Sequence, residues 1–167
     1  ELPCGHAYCA GCLAELRTKK VAQACPLCRA ELPPGVDGLF ELAWRAQIRI
    51  HGMVKRGEVA WAALPAAKQE EMDEVEAMYT EAAAQGHSSA AFNLGLLLQN
   101  VRGDFDGAVA AYRTAITADP GFADAHINLG YLLQNVREDF DGAEAAYRAA
   151  IAADPGHAHS HSNLGFL

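Results

Sequence analysis

The sequence predicts a mainly α chain, a solenoid of stacked helical hairpins, behind a small cysteine-rich amino-terminal module. The first observation is self-similarity. Asn93-Leu94-Gly95 recurs as Asn128-Leu129-Gly130 and again as Asn163-Leu164-Gly165, each step being 35 residues. Tyr112 recurs as Tyr147 and Asp119-Pro120-Gly121 as Asp154-Pro155-Gly156 at the same period. A repeat of this length is one supersecondary unit that buries its apolar face only by stacking on a neighbour. The second observation is helical spacing within a unit. Ala91, Leu94, Leu97 and Leu98 form one apolar stripe, and Ala108, Ala111, Tyr112, Ala115 and Ile116 form another. The third is that all five cysteines of the 167-residue chain lie in its first 28 residues.

Those residues read Cys4-x-His6-x2-Cys9-x2-Cys12 and then Cys25-Pro26-Leu27-Cys28. Thiolates and imidazole at these separations suit tetrahedral zinc, because two ligands spaced by x2 grip one ion from a tight turn. An odd cysteine count with a histidine inside the ladder argues against a disulfide framework. One zinc needs four ligands and six are present, which makes one complete site and half of another.

The ladder resembles the RING finger. A PHD-type finger is the alternative, but it places its histidine later in the ligand order. The resemblance implies that Cys4, His6, Cys25 and Cys28 complete one zinc site, while Cys9 and Cys12 are half of a second. The family's first ligand pair is then expected upstream of Glu1, with the chain beginning inside the finger and the finger loose or inactive as it stands. The resemblance further implies that Leu16 and Pro26 present an apolar surface to a ubiquitin-conjugating enzyme. Arg29, just after the last ligand, would bridge ubiquitin and that enzyme, a task suited to a planar, permanently charged guanidinium. Leu16 has an alternative role in packing with Leu13, and Arg29 as a solvated charge.

Net charge is -8, unevenly spread. Glu1 to Gly57 carries eight Lys or Arg against five Asp or Glu, and Glu58 to Leu167 carries five against 16. An acidic body argues against nucleic acid as a partner. The apolar runs are too short to span a bilayer, so no membrane role is expected. Reduced zinc thiolates point to the cytoplasm or nucleus.

Pro33-Pro34-Gly35 closes the amino-terminal module, giving expected divisions of 1-34 for the partial finger, 35-65 for a linker and 66-167 for the repeats. Between Leu39 and Trp61, apolar residues at Leu42, Ala46, Ile50 and Val54 predict a short connecting helix. Its interspersed Arg45, Arg49, Lys55 and Arg56 read as a solvated face. Pro65 then opens a helix from about Ala66 to Gln85, with Glu70, Glu71 and Asp73 near its positive end, and Gly86 stops it.

The repeating residues resemble the tetratricopeptide repeat: Asn-Leu-Gly in the first helix, Ala108-x3-Tyr112-x2-Ala115 in the second, and Asp-Pro closing it. The family's usual period is one residue shorter, which places the extra residue in the turn Asn100-Val101-Arg102-Gly103 and its copy Asn135-Val136-Arg137-Glu138. Tyr79 to His87 resembles the related Sel-one-like repeat. The final unit stops at Leu167, and its uncovered last helix is expected to fray or to be held by a neighbour.

The resemblance implies a concave groove for a protein or peptide substrate, lined by Phe92, Asn93, Leu96, Ile127, Asn128, Tyr131 and Asn163. Phe166, Gln99 and Gln134 neighbour it. The asparagines form a ladder able to donate to and accept from a bound backbone, or serve only as local caps. The Lys and Asn pair with which chaperone-binding members clamp a terminal carboxylate is missing. His157 and His161 are one turn apart, a possible chelate, yet His161 repeats His126 and so belongs to the helix pattern. No nucleophile-base pair or phosphate loop is present. The expectation is a RING-type ubiquitin ligase, with no catalytic residues of its own, whose repeats hold substrate. The alternative is a non-catalytic scaffold with a structural zinc finger.

Overall fold

The computed structural model describes residues 34–167. The zinc-ligand candidates Cys4, His6, Cys9, Cys12, Cys25 and Cys28, together with Leu16, Pro26 and Arg29, lie outside the described residues. The helices are α1 (Val36–Lys55), α2 (Ala66–Ala84), α3 (Ser88–Leu97), α4 (Phe105–Ala118), α5 (Ala123–Asn135), α6 (Phe140–Ala153) and α7 (Ala158–Gly165). A short 3-10 turn, Trp61–Ala63, precedes α2, and a π turn, Leu98–Arg102, prolongs α3. Among the described residues the fold is entirely helical, and each helix packs on the next to give the hairpins α1–α2, α3–α4 and α5–α6, followed by α7. No described helix is long and apolar enough to cross a membrane.

Helix ends follow from local chemistry. Gly86 adopts φ +86° and terminates α2, a conformation free of Cβ strain only for glycine. Asp104 and Asp139 cap α4 and α6, their carboxylates accepting from the backbone N–H of Gly107 and Gly142 at 2.9 Å. Asp119 and Asp154 end those helices in extended backbone, as a residue before proline must. Each then accepts from the N–H two residues on, Gly121 or Gly156, at 3.0 Å.

The first helix departs from expectation in length, boundary and face. It spans 20 residues, begins before Leu39 and ends at Lys55, with Trp61 beyond it in the 3-10 turn. The buried line is Leu39, Ala43 and Ile50, while Leu42 is 51% exposed. Both lines satisfy the helical period, and the side of the helix that meets α2 decides between them. Leu39, Ala43 and Ile50 share one core with Met72, Val75, Tyr79 and Ala82 of α2 and Ala90 and Leu97 of α3. The expected connecting helix is therefore the first arm of a hairpin.

The hairpins share one internal joint. Tyr112 Oη donates to Gln99 Oε1 at 2.8 Å and Tyr147 Oη to Gln134 Oε1 at 2.9 Å. Tyr79 Oη makes the same bond to Gln47 Oε1, at 2.7 Å, across α1 and α2. Each glutamine lies four residues after a small residue packed in the hairpin: Ala43, Gly95 or Gly130. Arginines join successive units. Arg102 pairs with Asp73 and Glu76 on α2, and its copy Arg137 pairs with Asp106 on α4.

The turns in which the extra residue of the 35-residue period was expected follow the first helix of each unit. In the first copy the chain takes π form over Leu98–Arg102 and Gly103 takes φ +70°; at the same place in the second copy Glu138 takes φ 54°. A side chain in that left-handed conformation costs about 1–2 kcal/mol, partly offset by the greater backbone entropy that glycine would lose. Glu138→Gly is expected to stabilise by about 0.5–1 kcal/mol, raising the thermal midpoint by roughly 2–4 °C per kcal/mol. Gly103→Glu should do the reverse, and thermal unfolding of both variants checks the pair.

The last helix is formed rather than frayed. α7 runs to Gly165 with Ser160 fully buried and Leu164 packed on the core of α4, α5 and α6. Contact with α6 holds it, although Phe166 beyond it is largely exposed.

Candidate interaction groove

The first helices of successive units place the groove positions in register. Counting from the small residue, the positions three before and one after are Phe92 and Leu96 on α3, Ile127 and Tyr131 on α5, and Ser162 and Phe166 around the end of α7. Counting from Ala43, the same places on α1 hold Phe40 and Trp44. Phe40 stacks on Trp44 with ring centroids 6.3 Å apart and on His87 at 4.6 Å. The row of equivalent positions thus begins one unit earlier than the sequence suggested.

The expected groove residues divide into two groups. Phe92, Asn93 and Leu96 are largely spent on the fold. Phe92 packs against Tyr112 and Phe122, with centroids 5.8 and 4.9 Å away, and Leu96 rests on the central core. Asn93 is buried and donates through Nδ2 to Ser89 O at 2.8 Å, one turn back on its own helix. Its amide cannot reach a bound chain while so engaged. Gln99 and Gln134 are likewise committed to the buried tyrosines. Burial pushes the pKa of Tyr79, Tyr112 and Tyr147 above the usual phenol value, so these hydroxyls remain protonated donors.

Ile127, Asn128, Tyr131 and Asn163 form the second group and line one cavity of about 340 Å³, together with Asp124, His157 and His159. α5 supplies the first residues as one face at helical spacing, and α7 with its cap supplies the others. His157 Nε2 lies 3.3 Å from Asp124 Oδ1, joining the start of α7 to the start of α5. His157 and His159 rings are 5.8 Å apart. The pairing of His157 with His161 considered from sequence gives way to a repeated structural bond: His161 Nε2 meets Pro155 O at 3.0 Å, as His126 meets Pro120 O.

Sequence reasoning did not place Asp124, His157 and His159 at this cavity, nor Phe40 and Trp44 at the equivalent positions on α1. The signal for α1 was Ala43-x3-Gln47, which matches Gly95-x3-Gln99. It was hidden because the two glutamines are 52 residues apart rather than 35.

Stacked helical hairpins with a row of apolar and amide side chains along their first helices define a class of protein-interaction repeat. The family model described as tetratricopeptide repeat matches residues 101–158 and 136–165, and that described as zinc finger, C3HC4 type (RING finger), matches residues 1–28. The chain accordingly carries a RING-type zinc-finger segment followed by tetratricopeptide repeats. No curated protein matches it.

Solved structures share the fold at low identity. The first TPR of Spaghetti (RPAP3), bound to HSP90 peptide SRMEEVD, is 13% identical with a TM-score of 0.54, over 75% of this chain and 90% of that one. The second TPR domain of the human RPAP3 protein, in complex with HSP70 peptide SGPTIEEVD, is 17% identical with a TM-score of 0.54, over 77% and 97%. The Sgt2 TPR domain from Aspergillus fumigatus is 17% identical with a TM-score of 0.53, over 74% and 75%.

Proposed function

We propose that the protein is a RING-type ubiquitin-protein ligase whose repeats hold a protein substrate, acting in the cytoplasm or nucleus. The observation that carries this reading is the RING-finger match over residues 1–28 followed in the same chain by tetratricopeptide repeats. RING fingers bind zinc, and the donor set here, thiolates and one imidazole, suits that ion. Cys4, His6, Cys25 and Cys28 would hold one zinc, and Cys9 and Cys12 would contribute to a second. The ion would supply structure, since folding of such a module and metal binding are one event. Leu16 and Pro26 would receive a ubiquitin-conjugating enzyme, and Arg29 would steady its thioester for attack by a substrate amine. The ligase's part is positioning, without a covalent intermediate of its own.

Autoubiquitination by the full-length protein with a panel of conjugating enzymes tests this. Zinc-dependent chain formation is expected, falling at least about tenfold on Arg29→Ala, the equivalent of about 1.4 kcal/mol in the barrier. No chain formation with any enzyme, or activity indifferent to Arg29→Ala and to chelation, would sink the ligase reading.

A scaffold without ligase activity is the second reading, favoured by the likeness of the fold to domains solved with bound peptides. The acid-ended peptides in those complexes are a poor match for this cavity, among whose described lining residues there is no Lys or Arg.

A further inference from the structure

We infer that the cavity between α5 and α7 takes the side chain of an arginine or lysine from an extended peptide. The inference rests on the reading of this groove as a peptide site and names the chemistry of its ligand. Among the described lining residues Asp124 is the one carboxylate, and its side chain is 58% exposed despite the contact with His157. Tyr131 is 49% exposed. A cation can be met by the Asp124 carboxylate and by the face of the Tyr131 ring, two attractions of the same sign. Ile127 supplies an apolar wall against which an arginine or lysine stem can lie.

The amides complete the match. Asn128 and Asn163 line the same cavity from adjacent units and are spared the buried position of Asn93. Each can donate to and accept from a peptide group, which fixes an extended backbone without reading its sequence. The wider field favours the same ligand. From Glu58 to Leu167 the chain carries five basic residues against 16 acidic, so a cationic segment is drawn toward it and an anionic one is repelled.

A displayed library of random dodecapeptides panned on the full chain tests the inference, with selected peptides synthesised and their Kd measured by fluorescence anisotropy. The expected result is enrichment of one Arg or Lys beside an apolar residue, with binding weakened about tenfold by Asp124→Asn and several-fold by Tyr131→Ala, and by added salt. Asp124→Lys should reverse the charge preference of the selected peptides. Circular dichroism of each variant establishes that the helices persist. Enriched peptides that are neutral or acidic, or whose Kd ignores both Asp124→Asn and Tyr131→Ala, would overturn the cationic ligand while leaving the groove standing. Enrichment of no peptide at all would overturn both.

Discussion

Tyr112→Ala is expected to lower the unfolding free energy by about 3–5 kcal/mol, the range for removing a buried aromatic side chain from a close-packed site. Tyr112 is fully buried, packs against Phe92 and shares a core with Val109, Leu129 and Leu132 across two hairpins. Its loss empties a space bounded by helix backbones, which cannot close without moving a neighbouring unit. Tyr112→Phe keeps the ring and loses only the hydroxyl bond to Gln99, so about 1 kcal/mol is expected. Urea unfolding followed by circular dichroism separates the two losses. A drop of under about 1 kcal/mol for the alanine variant would contradict this account of the core. The same burial has a pH signature. Because the folded state holds Tyr79 and Tyr112 protonated, their contribution is intact below the ordinary phenol value of about 10 and fades as pH rises beyond it. Tyr112→Phe should flatten part of that alkaline decline.

Gly95→Ala is expected to destabilise by about 1–3 kcal/mol, the cost of overfilling a packed site. Glycine inside a helix is normally improved by alanine, by about 1 kcal/mol. Here a Cβ on Gly95 would lie 2.5 Å from Tyr112 Cε1, and on Gly130 2.6 Å from Tyr147 Cε1. Steric overlap with a ring that is itself buried outweighs the propensity gain. Gly165 occupies the same repeat position but has nothing within 4 Å of an added Cβ. Gly165→Ala should therefore be neutral or mildly stabilising. Thermal melts of the two variants with opposite signs would establish that the tyrosine ring imposes glycine at this position; equal shifts would refute it.

The repeated elements were legible because their signals are local and doubled. Tyr in the second helix, Asp before Pro, and the apolar stripes of α3 to α6 each occur twice at one spacing, so period and face were both constrained. The first hairpin was not legible in the same way. Its turn from Lys55 to Ala66 lengthens the spacing between equivalent residues, and alanine replaces the glycine that marks the other units. The apolar spacing read from Leu42 fits a helix, but the face that α2 covers runs through Leu39 and Ala43 instead. The asparagine repeat was legible, but the surroundings of each asparagine were not. A sequence pattern placed Asn93, Asn128 and Asn163 in register, yet only the three-dimensional packing buried the first and left the others lining a cavity. Asp124 and His157 meet across adjacent units, a contact that no periodicity encodes.

The arginine pairs carry a meaning that their strength does not. Exposed pairs of this kind contribute up to about 1 kcal/mol each. Yet Arg102 and Arg137 each sit in the turn of one unit and find their carboxylates on the second helix of the unit before. The middle hairpin is thus labelled twice, with the Asp106 acid offered forward and the Arg102 cation offered back. The labels have a polarity, so two units exchanged end for end would mismatch at both seams. Grafting a foreign hairpin into this array would require an acid on its second helix at the place of Asp73 and Asp106, as much as an apolar face of the right shape.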